Sequence, residues 1–121
     1  AVAAMSIARR PTGHAPAAAG TTVHRNAEMI GTVLAELGDV IAKRHRTLPE
    51  GSYTTHLFSK GPSKIRKKTG EEAVELILAT DKPEIVSEAA DLIYHMLVLL
   101  ESEGLSYGDV IAVLDERHHH G

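Results

Sequence analysis

Pairs of acidic residues recur in two neighbouring segments of the sequence. Glu72 and Glu75 lie three positions apart in "KTGEEAVEL", and Glu88 and Asp91 repeat that spacing in "VSEAADLIYH". Residues three apart share one face of an α-helix, so each pair would direct two carboxylates to the same side. Carboxylate oxygens are the ligands that Mg²⁺ and Mn²⁺ prefer. Two such helices packed together could therefore converge four oxygen ligands on one hard cation, and we expect Mg²⁺ there, with Mn²⁺ as a possible substitute.

The helical phase of these acids favours a buried position. At about 100° per residue, Glu72 shares its arc with Ile65 and Leu76. Glu88 and Asp91 follow a stripe on a segment that is apolar almost all round. Because isolated buried carboxylates are very costly, such acids are normally paired or metal-bound. The alternative is a solvated surface with lysine ion pairs between neighbouring turns, and it stays open for Glu71 and Lys67.

The apolar periodicity predicts four substantial helices and one short helix, hence an all-α bundle. Asn26, Ser52 and Ser106 are candidate N-caps, and Gly104 is a candidate C-terminal glycine. The predicted helices cover approximately residues 26–46, 53–60, 62–80, 84–103 and 107–117. The buried residues predicted for the last helix are Val110, Ile111, Val113 and Leu114.

The composition limits the class of protein. The length of 121 residues fits one domain, which we place at 23–117, after a flexible leader at 1–22 and before a tail at 118–121 that is either native or tag-derived. The net charge of −3 argues against a nucleic-acid partner. No apolar run reaches the roughly 18 residues of a membrane helix or forms a secretory signal. With no cysteine to form disulfides, we expect a cytoplasmic protein that contacts neither membrane nor nucleic acid.

The ordered motifs SYT, KGxxKIxKKxGEE, ExxE, ExxDxxYH and VLL, spread over about residues 29–117, resemble the phosphoribosyl-ATP pyrophosphatases of histidine biosynthesis. That family is similar to the all-α nucleotide pyrophosphohydrolases of the MazG and dimeric dUTPase type. The resemblance implies hydrolysis of 1-(5-phosphoribosyl)-ATP to 1-(5-phosphoribosyl)-AMP and pyrophosphate. It also implies that Glu72, Glu75, Glu88 and Asp91 bind the metal, with Glu72 or Glu75 as the catalytic base.

The same resemblance implies a homodimer and a set of substrate-binding residues. We expect Lys64 and Lys68 to hold phosphates beside the carboxylates, whereas Lys67 points elsewhere and could reach a neighbouring subunit. The substrate-binding set is Lys60, Lys64, Lys67, Lys68 and His95. For His95 the alternative is a buried histidine bonded to a nearby acid. Gly70, inside a predicted helix, either admits the close approach of a helix or phosphate or is merely tolerated.

Two other functions remain open at this point. A housecleaning pyrophosphohydrolase for nucleoside triphosphates would share the metal carboxylates but would not be expected to carry the SYT and KGxxKIxKK motifs. A non-catalytic helical oligomerisation module would use the acidic stripes only for ion pairs.

Overall fold

The computed structural model describes residues 22–120, with side chains described from residue 31 onward. The predicted leader at 1–22 lies outside the described residues apart from Thr22, which begins the first helix. Gly121 of the predicted tail also lies outside them.

Five helices make up the described chain, which contains no strand, and the predicted all-α class is confirmed. They are α1 (Thr22–Thr47), α2 (Tyr53–Lys60), α3 (Pro62–Leu78), α4 (Lys82–Ser102) and α5 (Tyr107–His120). The predicted N-cap at Asn26 is wrong, because the backbone is already helical from Thr22 and a capping residue must be non-helical.

Local signals set the ends of the helices that carry the acids. Ser52 caps α2 by accepting a hydrogen bond from the Thr55 amide at 3.3 Å. Asp81 caps α4 in the same way, through the Glu84 amide at 2.8 Å. Gly104 follows α4 with a φ of 75°, the left-handed conformation that favours glycine. The short connection between α3 and α4 makes them a helical hairpin with extensive mutual contact.

The core lies where α1 and α2 pack against this hairpin. Its buried apolar side chains are Ile41, Leu57, Ile65, Tyr94, Leu97 and Val98. Tyr94 also satisfies its hydroxyl there, through a 2.6 Å bond to Thr54 of α2. The hairpin is therefore packed against the core from one side, and its acids are carried by the pair of helices with the most extensive mutual contact.

The burial predicted for α5 is wrong. Ile111, Val113 and Leu114 are 46%, 46% and 52% exposed, and α5 has no buried residue. Its main neighbour is α1, which leaves these three apolar side chains about half exposed. The helix also continues to His120, past its predicted end at residue 117.

No helix in residues 22–120 combines the length and apolar character needed to cross a bilayer.

Candidate metal and phosphate site

Three carboxylates meet on the face that α3 and α4 share. Glu72 and Glu75 project from successive turns of α3, and Glu88 projects from α4. One oxygen from each lies within 4.8 Å of the other two. The three-residue spacing thus does what the sequence predicts: it places two acids side by side, and the hairpin brings a third to them.

Two of these acids are buried without full hydrogen bonding. Glu72 is 1% exposed and Glu88 is 7% exposed. Oε1 of each has no hydrogen-bond partner within the described chain. Since an unsatisfied buried carboxylate oxygen is costly, the arrangement fits a missing positive ligand. A hard divalent cation bound by carboxylates meets that need, so the residues present fit Mg²⁺ or Mn²⁺.

Asp91 lies beside this cluster rather than within it. It is 5% exposed and forms a side-chain hydrogen bond with Glu88. Its charge also contributes to the raised pKa of Glu72. The structure therefore brings three of the four predicted ligands together and places the fourth next to them.

Burial and mutual repulsion change the acidity of the cluster. Burial, and then the negative charge of Glu75, raise the pKa of Glu72 to about 7. Burial and the hydrogen bond with Asp91 also raise the pKa of Glu88. Burial thus disfavours the charged forms of Glu72 and Glu88, and a bound cation would favour them.

His95 lies behind the carboxylates with both ring nitrogens bonded. Nδ1 is 2.7 Å from the main-chain oxygen of Asp91, and Nε2 is 3.0 Å from the hydroxyl of Tyr53. The side chain is 0% exposed, so direct contact with a substrate would require the bond to Tyr53 to break. Sequence reasoning missed this use of Tyr53, because no spacing rule relates residues 42 positions apart.

The four lysines of the predicted substrate-binding set differ in exposure. Lys64 and Lys68 are half-buried, whereas Lys60 and Lys67 are exposed. Lys68 forms an ion pair with Glu71 at 3.2 Å, and this bond lowers the pKa of Glu71. The ion-pair interpretation of Glu71 is therefore correct, and its partner is Lys68.

Lys68 is also close to the buried histidine. Burial lowers the pKa of His95, and the positive charge of Lys68 acts in the same direction. A lysine of α3 thus lies near the carboxylate cluster, where a phosphate could replace Glu71 as its partner.

A cavity of about 310 Å³ lies elsewhere, between α1, the end of α4 and the start of α5. Gly38, Glu101 and Tyr107 are among its lining residues, and none of the predicted site residues lines it. Because metal and phosphate chemistry needs the carboxylates and lysines, we place the functional site at the cluster and not in this cavity.

Comparison with known proteins connects this geometry to a family. Residues 34–118 match the phosphoribosyl-ATP pyrophosphohydrolase family, and this range includes the carboxylates, the lysines and His95. The histidine biosynthesis bifunctional protein HisIE of Bacillus subtilis is 52% identical over 89 residues, covering 71% of this chain and 43% of the relative. The protein of the same name from Halalkalibacterium halodurans is 51% identical over 89 residues, covering 71% and 42%.

The chain thus spans less than half the length of these curated relatives. The family match, in contrast, extends over most of the chain and over every helix that carries the acidic cluster. The chain belongs to the phosphoribosyl-ATP pyrophosphohydrolase family.

Proposed function

We propose that this protein hydrolyses 1-(5-phosphoribosyl)-ATP to 1-(5-phosphoribosyl)-AMP and pyrophosphate, the second step of histidine biosynthesis. The observation that carries the proposal is the pair of buried, unpartnered oxygens on Glu72 and Glu88, in a segment matched by the family. A non-catalytic module would have no use for such oxygens, because they reduce stability without a bound partner.

The proposed metal ligands are Glu72, Glu75 and Glu88, with Asp91 either as a fourth ligand or as the hydrogen-bond partner that orients Glu88. When bound, Mg²⁺ would neutralise phosphate charge and lower the pKa of a water at the site. Mn²⁺ is the natural substitute, because it accepts the same oxygen donors.

We assign the catalytic base to Glu72, with Glu75 as the alternative. A carboxylate has two oxygens, so one can bind the cation while the other accepts a proton. As the oxygen of the attacking water bonds to phosphorus, one water proton passes to this carboxylate. The anhydride bond between the α and β phosphorus atoms breaks, and pyrophosphate leaves.

The lysines would hold the phosphates of the substrate. Lys64 and Lys68 are the first candidates within one chain, since both are half-buried on the helix that carries Glu72. Lys60 and Lys67 are exposed and would contact the outer phosphates or a neighbouring subunit's site. Fixed cations stabilise the charge on phosphoryl oxygens in the transition state. For His95, which is enclosed, we propose an effect on the substrate through Tyr53.

We also propose a homodimer. The hairpin exposes large apolar side chains on the surface away from the core, among them Val74, Ile77 and Leu78 of α3 and Val86 of α4. The resemblance implies that a second copy of the chain covers this apolar surface. Lys67 of one chain would then be brought towards the other chain.

The decisive experiment incubates the protein separately with 1-(5-phosphoribosyl)-ATP and with dUTP, with and without Mg²⁺, and follows pyrophosphate by phosphorus NMR. We expect Mg²⁺-dependent release from the first substrate. Preferential release from dUTP would favour a housecleaning pyrophosphohydrolase, and no release from either would favour the oligomerisation module.

A further inference from the structure

A chain of hydrogen bonds connects the main chain of α4 to the first residue of α2. The oxygen of Asp91 bonds to Nδ1 of His95 at 2.7 Å, and Nε2 bonds to the Tyr53 hydroxyl at 3.0 Å. The rings of Tyr53 and His95 meet edge to face, with centroids 5.7 Å apart. The tyrosine is thus held in one orientation by both its ring and its hydroxyl.

The direction of these bonds follows from their partners. A main-chain oxygen can only accept, so Nδ1 of His95 carries a proton. The ring is 0% exposed, and an enclosed imidazole is held in its neutral form, so Nε2 is the unprotonated nitrogen. Tyr53 must therefore donate its proton to Nε2. Its oxygen is left with only lone pairs to offer to any other neighbour.

Contacts between neighbouring residues connect Tyr53 to the carboxylate cluster, because Tyr53 bonds His95, His95 bonds the main chain of Asp91, and Asp91 bonds Glu88. Burial first, and then the negative charges of Glu72 and Asp91, raise the pKa of Tyr53 to about 12. Tyr53 is half-buried, whereas His95 behind it is enclosed, so the tyrosine is the accessible end of the chain. Carboxylates and this oxygen are all acceptors. A water among them can satisfy two of them, because it has two protons to donate.

We propose that Tyr53 is a further catalytic residue of this hydrolysis, its oxygen accepting a hydrogen bond from the attacking water while Glu72 accepts the proton that is transferred. The second proton stays on the water oxygen as the new bond to phosphorus forms, so Tyr53 remains neutral throughout. His95 is a positioning residue, because its Nε2 accepts the hydrogen bond from the Tyr53 hydroxyl. The lone pairs of the Tyr53 oxygen are then directed towards the water. This inference rests on the proposed function.

The first test compares Tyr53→Phe with Tyr94→Phe. Both remove a hydroxyl that bonds a neighbouring side chain, but Tyr94 bonds Thr54 in the core. We expect Tyr53→Phe to lower kcat by about 10- to 100-fold, with KM changed less than about twofold, because a misplaced nucleophile affects the chemical step. Tyr94→Phe should lower the melting temperature and keep kcat. An unchanged kcat in Tyr53→Phe overturns the inference.

The second test separates water positioning from metal binding. Mn²⁺ affinity, measured by electron paramagnetic resonance of the free ion, should be the same in wild-type and Tyr53→Phe protein. A parallel fall in Mn²⁺ affinity and kcat would show that Tyr53 supports the metal ligands, and would overturn the inference.

A double-mutant cycle tests the role of His95. We expect His95→Phe to lower kcat as much as Tyr53→Phe, and the double variant to lose nothing further, because the histidine acts through the tyrosine. His95→Gln, whose side-chain oxygen can still accept from Tyr53, should recover part of kcat relative to His95→Phe. Additive losses, or equal losses in both His95 variants, overturn the positioning role.

Nitrogen NMR of the protein before catalysis gives an independent result. We expect His95 in the neutral form with its proton on Nδ1, and a proton on Nε2 would overturn the bond direction. Wild-type protein that releases no pyrophosphate would overturn the proposed function and this inference with it. Active wild-type protein beside a fully active Tyr53→Phe would overturn the inference alone.

Discussion

At the scale of single residues, the acidic cluster has opposite effects on folding and on binding. Glu72 and Glu88 each bury an oxygen that no described donor satisfies, and both have raised pKa values. Without a cation, their charges destabilise the folded state. With a cation, the same charges supply its ligands, so the stability of the protein and its loading with metal are linked.

Glu72→Gln separates these two effects. We expect hydrolysis to fall by on the order of 10³-fold, since both the base and a ligand are lost. We also expect the melting temperature of metal-free protein at pH 8 to rise, because the buried charge is removed. Activity measured by phosphorus NMR and thermal melting followed by circular dichroism check the two parts. Glu50→Gln is the control, since Glu50 is exposed; near-normal turnover in Glu72→Gln would contradict the site.

The stability of metal-free protein should depend on pH through Glu72. Its pKa is 4.5 ordinarily and about 7 in the fold, so the folded state binds more protons than the unfolded state between these values. The free energy of unfolding should therefore decrease as the pH rises from about 4.5 to about 7, and Mg²⁺ should reverse part of the decrease. Urea unfolding at several pH values in this range, once with a chelator and once with Mg²⁺, measures the free energy of unfolding.

Glu72→Gln is also the control for the pH series. The other ionisable residues are the same in both proteins, so the difference between the two curves reports the contribution of Glu72. Parallel curves would contradict the assignment of the raised pKa to this residue.

The burial of these acids could be predicted from sequence, but their partners could not. Helical phase placed Glu72 and Asp91 among apolar residues, and both are buried. The bond between Tyr53 and His95 depends on how α2 packs against α4, which periodicity within one helix does not specify. The ion-pair partner of Lys68 depends on side-chain rotamers, which the sequence does not specify. The structure pairs Lys68 with Glu71.

At the scale of the helices, no neighbouring atom requires the residue at position 70 to be glycine. It lies inside α3, and a Cβ built there meets no described atom within 4 Å. Gly70→Ala should therefore stabilise the protein by about 0.5–1 kcal/mol, because alanine loses less backbone entropy in a helix. Urea unfolding measures the change, and we expect activity to be retained.

Gly104→Ala is the matched comparison. That site also has no neighbour within 4 Å, but its φ of 75° strains any side chain, so the substitution should destabilise by about 1–2 kcal/mol. A loss of activity in Gly70→Ala with unchanged folding would show that a bound phosphate or a partner helix approaches this glycine.

The five helices could be predicted from sequence because caps, glycines and apolar periodicity act locally. Ser52 and Gly104 mark helix ends as expected. The burial of α5 could not be predicted in the same way, since an apolar stripe shows which face is available and not which element covers it. Ile111 and Leu114 remain about half exposed for that reason.

At the scale of the whole molecule, exposed apolar surface favours self-association. Ile77 and Leu78 are 78% and 70% exposed, which is a large exposure for apolar side chains of this size. Ile77→Glu together with Val86→Glu should convert the proposed homodimer to monomer, because charged side chains oppose burial at an interface. Light scattering after size-exclusion chromatography measures the mass.

Leu114→Glu on α5 is the control for position. Leu114 is also about half exposed, at 52%, but lies on a different helix. If only this variant became monomeric, the dimer would form through α5 and not through the hairpin. A wild-type protein that is monomeric at all concentrations would contradict the dimer.

The unpartnered oxygens of Glu72 and Glu88 also limit how this sequence can be optimised. Selection of variants for heat resistance in the presence of a chelator would favour neutral or apolar replacements at these two positions. Such variants would fold well and would lack the ligands. Stability screens of this protein should therefore be run with Mg²⁺ present, so that the substitutions they enrich are compatible with catalysis.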